Sequence, residues 1–420
     1  MLAGVVAVVG SKLFESVLGA FRAMLKSPEF LESARTESRF FTRNRCLSLV
    51  DCVEFLLTKS STSVQRGLNG FLPAGRNCSK QAFSQRRRHI RPSAIRQLAE
   101  LVRDKFYTEA DYHTFRGCRL LAVDGTRLNL PDSAELMERY GAQRNSSEQI
   151  QSLASAVYDV LNRQMLSVYA ERVNGNEREI LKRQLQEESC FWPGHDIFVL
   201  DRGYPSGPLL EAFVNQGHFF VARCCTEFLR SFCLSGNDCV LQHRFKSVKS
   251  KLALRIVTVV LPNGTHEWLV TNIFDKSVTA EDFKAIYHAR WGVEQCFGHM
   301  KSFLELENLS GLSEQAFLQD LYAKMAVENL AGVLEFSTQP SFEARHGQRT
   351  APVRQNFRVL CGTMQDRLVM LLSCAGRRLK QAVRELIGIV SRGAETVRLG
   401  RSFPRKRKHF SQKFPLNQRG

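Results

Sequence analysis

Four residues recur at a spacing that a helix would turn into a single stripe: Tyr287, Arg290, Glu294 and Lys301. At about 100° per residue, the last three fall within roughly 60° of Tyr287 around a helix axis. Ile286, Val293, Phe297, Met300 and Leu304 fall on the adjoining face. Thr279 followed by Asp282 supplies an N-cap and a first-turn acid, so the spacing predicts one helix over 280–304. Such a helix buries one edge and presents a line of ionisable groups beside it. A carboxylate between two cations there has two explanations. It is a structural ion-pair ladder, since Arg290 and Glu294 stand four residues apart. Or it is a metal-binding acid flanked by phosphate-binding cations. The helix alone leaves both open.

Two further acids stand out by position. Asp124 directly follows the apolar run Arg119–Val123, and Asp201 directly follows Asp196–Leu200. An acid closing a buried strand is costly unless it is paired or coordinated. One such Asp often just caps a turn, and Gly125 and Gly203 fit that idea. Two such strands plus one helix Glu form a richer pattern. If the strands are neighbours, Asp124 and Asp201 converge, and Glu294 reaches them from a helix packed on the sheet. Oxygen ligands of this kind suit Mg²⁺ or Mn²⁺.

The elements that must position these acids are legible in outline. After Arg119–Val123, residues 152–161 and 164–173 read as strands joined by a turn at Asn162 and Arg163, and 177–188 as a helix. The strand 196–200, a helix over 207–216 and the strand 218–224 follow. Three strands, a helix, a strand, a helix and a strand is the order of an RNase H-like core. Residues 252–261 and 266–273 flank Pro262-Asn-Gly264, a hairpin signal. The expected architecture is therefore α/β: an RNase H-like catalytic core, a mixed sheet with helices, interrupted by a β-rich insertion, with helical N-terminal and C-terminal regions. The expected divisions are 1–112 (helical, basic, DNA-binding), 113–225 (core, first part), 226–274 (β-rich insertion), 275–335 (core, second part, with the Glu294 helix) and 336–420 (helical, with a basic tail).

Composition points to the partner. The 420 residues carry 59 Lys and Arg against 41 Asp and Glu, a formal charge of +18, which favours nucleic acid over membrane. Two basic features stand out. Residues 79–89 start with the N-cap Ser79 and carry Arg86, Arg87 and Arg88; with a preceding short helix over 62–72 they suggest a helix-turn-helix. The alternative is a solvated basic helix. The tail holds Arg405-Lys-Arg-Lys408, suited to tracking phosphates. The twelve Cys include no Cys-x-x-Cys pair, and Cys233, Cys239 and His243 lack the usual zinc spacing, so reduced structural thiols are expected. The apolar segment Ala3–Gly10 is too short to span a bilayer and reads as a first helix.

With these residues in view, the sequence resembles bacterial insertion-sequence transposases of the DDE class, in the group marked by Tyr-x₂-Arg-x₃-Glu-x₆-Lys. That spacing is complete in Tyr287, Arg290, Glu294 and Lys301, and the segments Val123-Asp-Gly-Thr126 and Leu200-Asp-Arg-Gly-Tyr204 also match. The likeness runs over about 40–410. It implies that Asp124, Asp201 and Glu294 bind metal, two Mg²⁺ per site with Mn²⁺ able to substitute, about 3.5–4 Å apart for in-line phosphoryl transfer. It implies that Arg290 and Lys301 grip DNA phosphates, and that Tyr287 contacts the backbone or supports Glu294. Trp268 falls where relatives place a Trp that stacks on an extruded base; its other reading is a core Trp in a hairpin. The implied activity is cleavage at transposon ends and strand transfer into target DNA. The alternatives are a nuclease of the same fold without strand transfer and an inactive DNA-binding descendant. The implied partners are double-stranded DNA, meaning terminal inverted repeats and target, and a second copy of the chain, with no membrane. The implied setting is the bacterial cytoplasm, at the nucleoid.

Overall fold

The structure is a computed structural model that describes residues 2–43, 45–59, 63–144, 148–230, 232, 237–261 and 264–397. Pro262 and Asn263 of the expected hairpin turn, Cys233 and the basic tail lie outside the described residues. The chain forms two compact units. One comprises Met1–Asp111, Asn129–Gln151 and Gly298–Gly420, and the other Tyr112–Leu128 and Ser152–Phe297.

In chain order the elements begin with six helices: α1 (Leu2–Leu25), α2 (Pro28–Ala34), α3 (Leu49–Thr58), α4 (Val64–Phe71), α5 (Lys80–Arg87) and α6 (Pro92–Glu109). Strand β1 (Arg119–Asn129), α7 (Ala134–Tyr140), β2 (Ala142–Arg144), β3 (Glu148–Asp159) and β4 (Gln164–Arg172) follow. Then come α8 (Glu177–Glu187), β5 (Asp196–Leu200), α9 (Gly207–Asn215), β6 (Phe219–Arg223), α10 (Thr226–Leu229), β7 (Asp238–His243), β8 (Leu252–Val260) and β9 (His266–Thr271). The chain continues through α11 (Ala280–Ala289), α12 (Trp291–Ser302), α13 (Glu314–His346), β10 (Val353–Gln355), α14 (Phe357–Ser373), α15 (Gly376–Val390) and β11 (Ala394–Thr396).

The sheet-bearing unit is organised by the period-two alternation of its strands. Its strands run β3-β1-β5-β6-β9-β8-β7, with β4 paired to β3. β1, β5 and β6 are parallel, and along β6, β9, β8 and β7 each strand is antiparallel to its neighbour. One face of the central strands presents Leu120, Ile197, Val199 and Val221, which pack with Phe283 and Ile286 of α11. The other presents Leu121, Val123, Phe198, Leu200 and Phe220, against Leu181 and Leu185 of α8 and Leu209, Leu210 and Phe213 of α9. Each such large side chain removed from water contributes about 1.5–3 kcal/mol. Burial on both faces explains why the central strands read as unbroken apolar runs. The strands over 238–271 do not form a layer of their own: β9 pairs with β6, so they extend the same sheet.

The other unit is helical. The 33-residue α13 is buried on most of its circumference and packs against α1, α3, α6, α14 and α15. Among the described residues no helix is long and apolar enough to cross a membrane.

The expected single helix over 280–304 is corrected to two. α11 ends at Ala289 and α12 starts at Trp291. At the junction the N–H of Arg290 bonds to the carbonyl of Tyr287, and that of Val293 to the carbonyl of Arg290, each 3.2 Å. These three-residue bonds tighten the turn, so the ideal α-helical count along the stripe no longer holds across Arg290. The N-terminus is as expected: Thr279 and Asp282 form a reciprocal capping box.

Candidate active site

Register places the two aspartates. β1 and β5 pair in parallel from Arg119↔Asp196 to Ala122↔Val199, so Asp124 and Asp201, each five residues beyond that first pair, stand level. β5 and β6 pair from Ile197↔Phe219 to Leu200↔Ala222, which brings Arg223 level with Asp201. Adjacent strands lie about 4.8 Å apart. All three residues share the parity of Val199 and Val221 and so project from the face that carries α11.

The opposite end of these strands is bolted. Arg119 makes a two-pronged pair with Asp196, Nε to Oδ1 at 2.7 Å and Nη2 to Oδ2 at 2.8 Å, and both side chains are buried. The Trp192 ring lies 3.5 Å from the Arg119 guanidinium, and the Trp192 N–H donates to Asp196 at 2.6 Å. A fork of this kind has little freedom to slip. It holds the register on which the alignment of Asp124 and Asp201 depends.

From α11, the Tyr287 hydroxyl donates to Asp201 Oδ1 at 2.9 Å. Tyr287 therefore bonds Asp201, where contact with the DNA backbone or support for Glu294 was the expectation. Arg290 Nη2 binds Glu294 Oε1 at 2.8 Å, so the ion pair anticipated from their spacing is present. Arg290 is buried, yet among the described residues its Nε and Nη1 have no hydrogen-bond partner. Buried donors left open in this way are poised for acceptor oxygens.

The two aspartates differ electrically. Burial, then the negative charges of Glu294 and Glu177, push Asp124 up to about 7, against the opposing pull of Arg290 and the Gly125 N–H. Burial also works to raise Asp201, but the Arg202 N–H, the Tyr287 hydroxyl and the cations Arg290 and Arg223 outweigh it and hold Asp201 below the usual carboxylate value. Burial and the Asp201 charge push the Tyr287 hydroxyl up to about 12, so Tyr287 remains a donor.

On the other face, a Cβ added at Gly125 would stand 2.4 Å from Glu177 Oε1, so a larger residue there would have to displace the Glu177 side chain. Arg178 Nε donates to the Gly203 carbonyl at 2.7 Å. The first turn of α8 thus abuts both acid-bearing turns. Tyr204 is buried there, and burial with the Glu177 and Asp124 charges holds its hydroxyl well above its ordinary value.

Lys301 belongs to the helical unit, where Nζ lies 3.6 Å from Glu307. Trp268 is half-buried in β9, packed against the core that includes Val270 and Ile256. Arg86 donates to the Leu47 carbonyl at 2.9 Å and lies over the Phe41 ring at 4.0 Å. The expectation of a DNA contact at Arg87 is corrected. Its guanidinium is buried and bound to Asp320 at 3.0 Å, because successive residues on a helix point about 100° apart and cannot share one outer face. Arg88 is exposed.

Sequence reasoning missed Arg223, Glu177 and the Arg119–Asp196 bolt. Arg223 was within reach: it closes an apolar strand just as the two aspartates do. The Glu177 contact carries no local signal, since it depends on where α8 crosses the sheet.

The donor set is one of carboxylate oxygens, suited to a hard divalent cation. Among the described residues, no group of three or more His, Cys, Asp or Glu side chains is gathered closely enough to hold a metal ion. Glu294 is instead engaged by Arg290.

A mixed sheet with acids at the ends of adjacent parallel strands, faced by Tyr, Arg and Glu from two successive helices and their junction, defines an α/β protein built around a carboxylate site. Comparison with known proteins makes the class specific: residues 116–330 match the transposase DDE domain. The chain belongs to that family, whose members use divalent metal ions. It is 21% identical to the transposase InsG for insertion sequence element IS4 of Escherichia coli (strain K12), over 92% of this chain and 91% of that protein. It is 31% identical over 138 residues to a probable transposase for insertion sequence element IS5377 of Geobacillus stearothermophilus, covering 30% of this chain and 36% of that protein. Among solved structures, a piggyBac transposase synaptic complex with hairpin DNA matches with a TM-score of 0.46 and 12% identity, over 91% of this chain and 85% of that chain.

Proposed function

We propose that this protein is an insertion-sequence transposase that cleaves DNA at transposon ends and joins them to target DNA, with Asp124, Asp201 and Glu294 as its metal-binding acids. The observation that carries this reading is the level placement of Asp124 and Asp201 on neighbouring parallel strands, faced by Tyr287, Arg290 and Glu294. The strand order around them, with β1 central between β3 and β5 and with β6 beyond, supports an RNase H-like core.

Asp124, Asp201 and Glu294 would hold divalent ions, Mg²⁺ with Mn²⁺ able to replace it, two to a site. The bound ions would supply activation of the attacking oxygen and stabilisation of the leaving oxygen. The chain's own residues do the rest. Asp201 stays ionised because Tyr287, Arg290 and Arg223 favour its charge. Burial and the Glu294 and Glu177 charges raise Asp124 to about 7, and a bound cation would favour its charged form. Glu294 would hold the cation in place of its bond to Arg290, and the Arg290 guanidinium, with open donors, is suited to bind a phosphate oxygen of the DNA. Lys301 adds a second phosphate contact, and Trp268 stacks on a displaced base. Two copies act together, because two transposon ends must be joined.

The test is a pre-cut terminal end incubated with target duplex and Mg²⁺. Strand transfer products are expected, and Glu294→Ala should abolish them while end binding persists. Hydrolysis without any joining would instead mark a nuclease of the same fold. A wild type inert in both Mg²⁺ and Mn²⁺ would overturn the reading altogether.

A further inference from the structure

The helical unit holds a cleft of about 500 Å³ between α5 and the start of α13, lined by Lys80, Ser84, Arg88, Ser313 and Gln315 among others, with Arg87 and Ser310 in its floor. Its chemistry is that of a phosphate site. Among the described residues, Lys80 and Arg88 have no ion-pair partner, in contrast to Arg87, whose charge Asp320 neutralises from below. Ser84 adds a hydroxyl at the wall, while Ser133 donates its own to the Leu312 carbonyl and Ser313 caps α13 through the Ala316 N–H. Gly311 keeps the floor open: a Cβ there would meet Ala316 Cβ at 2.6 Å and Arg87 Nη1 at 3.6 Å.

One acid is present, and its position is informative. Glu135 is exposed, and its Oε1 accepts the backbone N–H of Glu314, at the start of α13, at 2.9 Å. A carboxylate already sits where the helix end attracts an anion. Glu314 itself is neutralised by Arg139 at 2.8 Å.

We propose that this cleft seats DNA backbone phosphates, with Lys80 and Arg88 as contacts and Glu135 as an internal carboxylate competing for the same place. The inference rests on the reading that the chain acts on DNA. It replaces a recognition helix in the major groove by a backbone-positioning site, which carries no sequence information of its own.

The experiment measures affinity of the full-length protein for a short random-sequence duplex as a function of salt. Lys80→Ala and Arg88→Ala should each weaken binding and lower the slope of log K against log salt by about one. Glu135→Gln should tighten binding severalfold, an effect that misfolding cannot produce. Glu385→Gln, on α15, removes the same charge away from the cleft and should change little. If Glu385→Gln tightens binding as much as Glu135→Gln does, only net charge is at work and the cleft proposal falls. Wild type that binds the duplex while Lys80→Ala, Arg88→Ala and Glu135→Gln leave affinity and slope unchanged would overturn the cleft alone. Wild type that fails to bind duplex DNA at any salt would overturn the transposase reading along with it.

Discussion

The molecule holds two clusters of charge built from similar parts and put to opposite ends. In the helical unit, Asp320 is buried among Lys59, Arg87, the Ser310 N–H and the Ser310 hydroxyl. Lys59 also donates to the Asn308 carbonyl, and Arg87 to Gln319 and the Ala316 carbonyl. Burial would raise the Asp320 carboxyl, but Lys59, Arg87 and the Ser310 N–H hold it down at about 2. In the sheet unit, Asp124, Asp201 and Glu294 share Arg290 and Tyr287, Asp124 is driven up to about 7, and two Arg290 nitrogens stay open. The first cluster is closed in its hydrogen bonds: Lys59, Arg87 and Asp320 are each bound by partners from the chain, with two cations sharing one carboxylate. The second has an excess of acid and open donors. A closed network stabilises a fold; an open one is preserved for something that is not part of the chain.

That contrast can be broken by substitution. The largest effect is expected at Asp201: if Asp201 holds metal as proposed, Asp201→Ala should lower cleavage by roughly a thousand-fold or more, since losing that carboxylate removes several kcal/mol of charge stabilisation. Its thermal midpoint should change little. If cleavage persists, the sheet-unit cluster is not the open one.

Asp320→Ala should do the reverse. It strands Lys59 and Arg87 in the interior and should cost about 3–5 kcal/mol in denaturant unfolding. The same carboxyl makes a pH prediction. Its folded value lies below the ordinary 3.8, so its contribution is present above about pH 4 and is lost as pH falls towards 2. An acid-unfolding curve of the wild type should be steeper in that window than that of Asp320→Asn.

Tyr287→Phe sharpens the comparison within the open cluster. Removing the hydroxyl that orients Asp201 should lower metal affinity or activity by about 10–100-fold, with the larger part visible as a raised Mn²⁺ requirement. An unchanged metal titration would show that Asp201 does not depend on it.

The smallest effect concerns Asp124. Its folded value is raised above 3.8, so the metal-free fold binds the proton more tightly than the unfolded chain does, and stability falls as pH rises from about 4 to about 7. Asp124→Asn should therefore raise the melting temperature of metal-free protein at pH 8, with the gain vanishing near pH 4. An equal shift at both pH values would remove the electrostatic account.

Much of this was legible before any coordinates. Asp124 and Asp201 announce themselves because an acid ends each of two apolar strands, and Tyr287, Arg290 and Glu294 because their spacing is helical. Arg290 pairs with Glu294 as four-residue spacing predicts. The capping box at Thr279 and the strand-helix alternation are local patterns, written in neighbouring residues. The break at Arg290 was not legible, because a few tightened hydrogen bonds leave no mark in a polar stripe. Neither was the fate of Arg87, whose neighbours Arg86 and Arg88 look identical in sequence but point elsewhere on the helix.

What the sequence alone determined is the inventory: which acids, which cations, and which strands and helices carry them, since period and residue type act over a few residues. What only the tertiary structure decided is the pairing. The five-residue offset from the Arg119–Asp196 bolt sets Asp124 beside Asp201, α8 brings Glu177 against Gly125, and Asp320 of α13 claims Arg87. Those partners lie tens to hundreds of residues apart, and their interaction depends on distance in space, which no local pattern encodes.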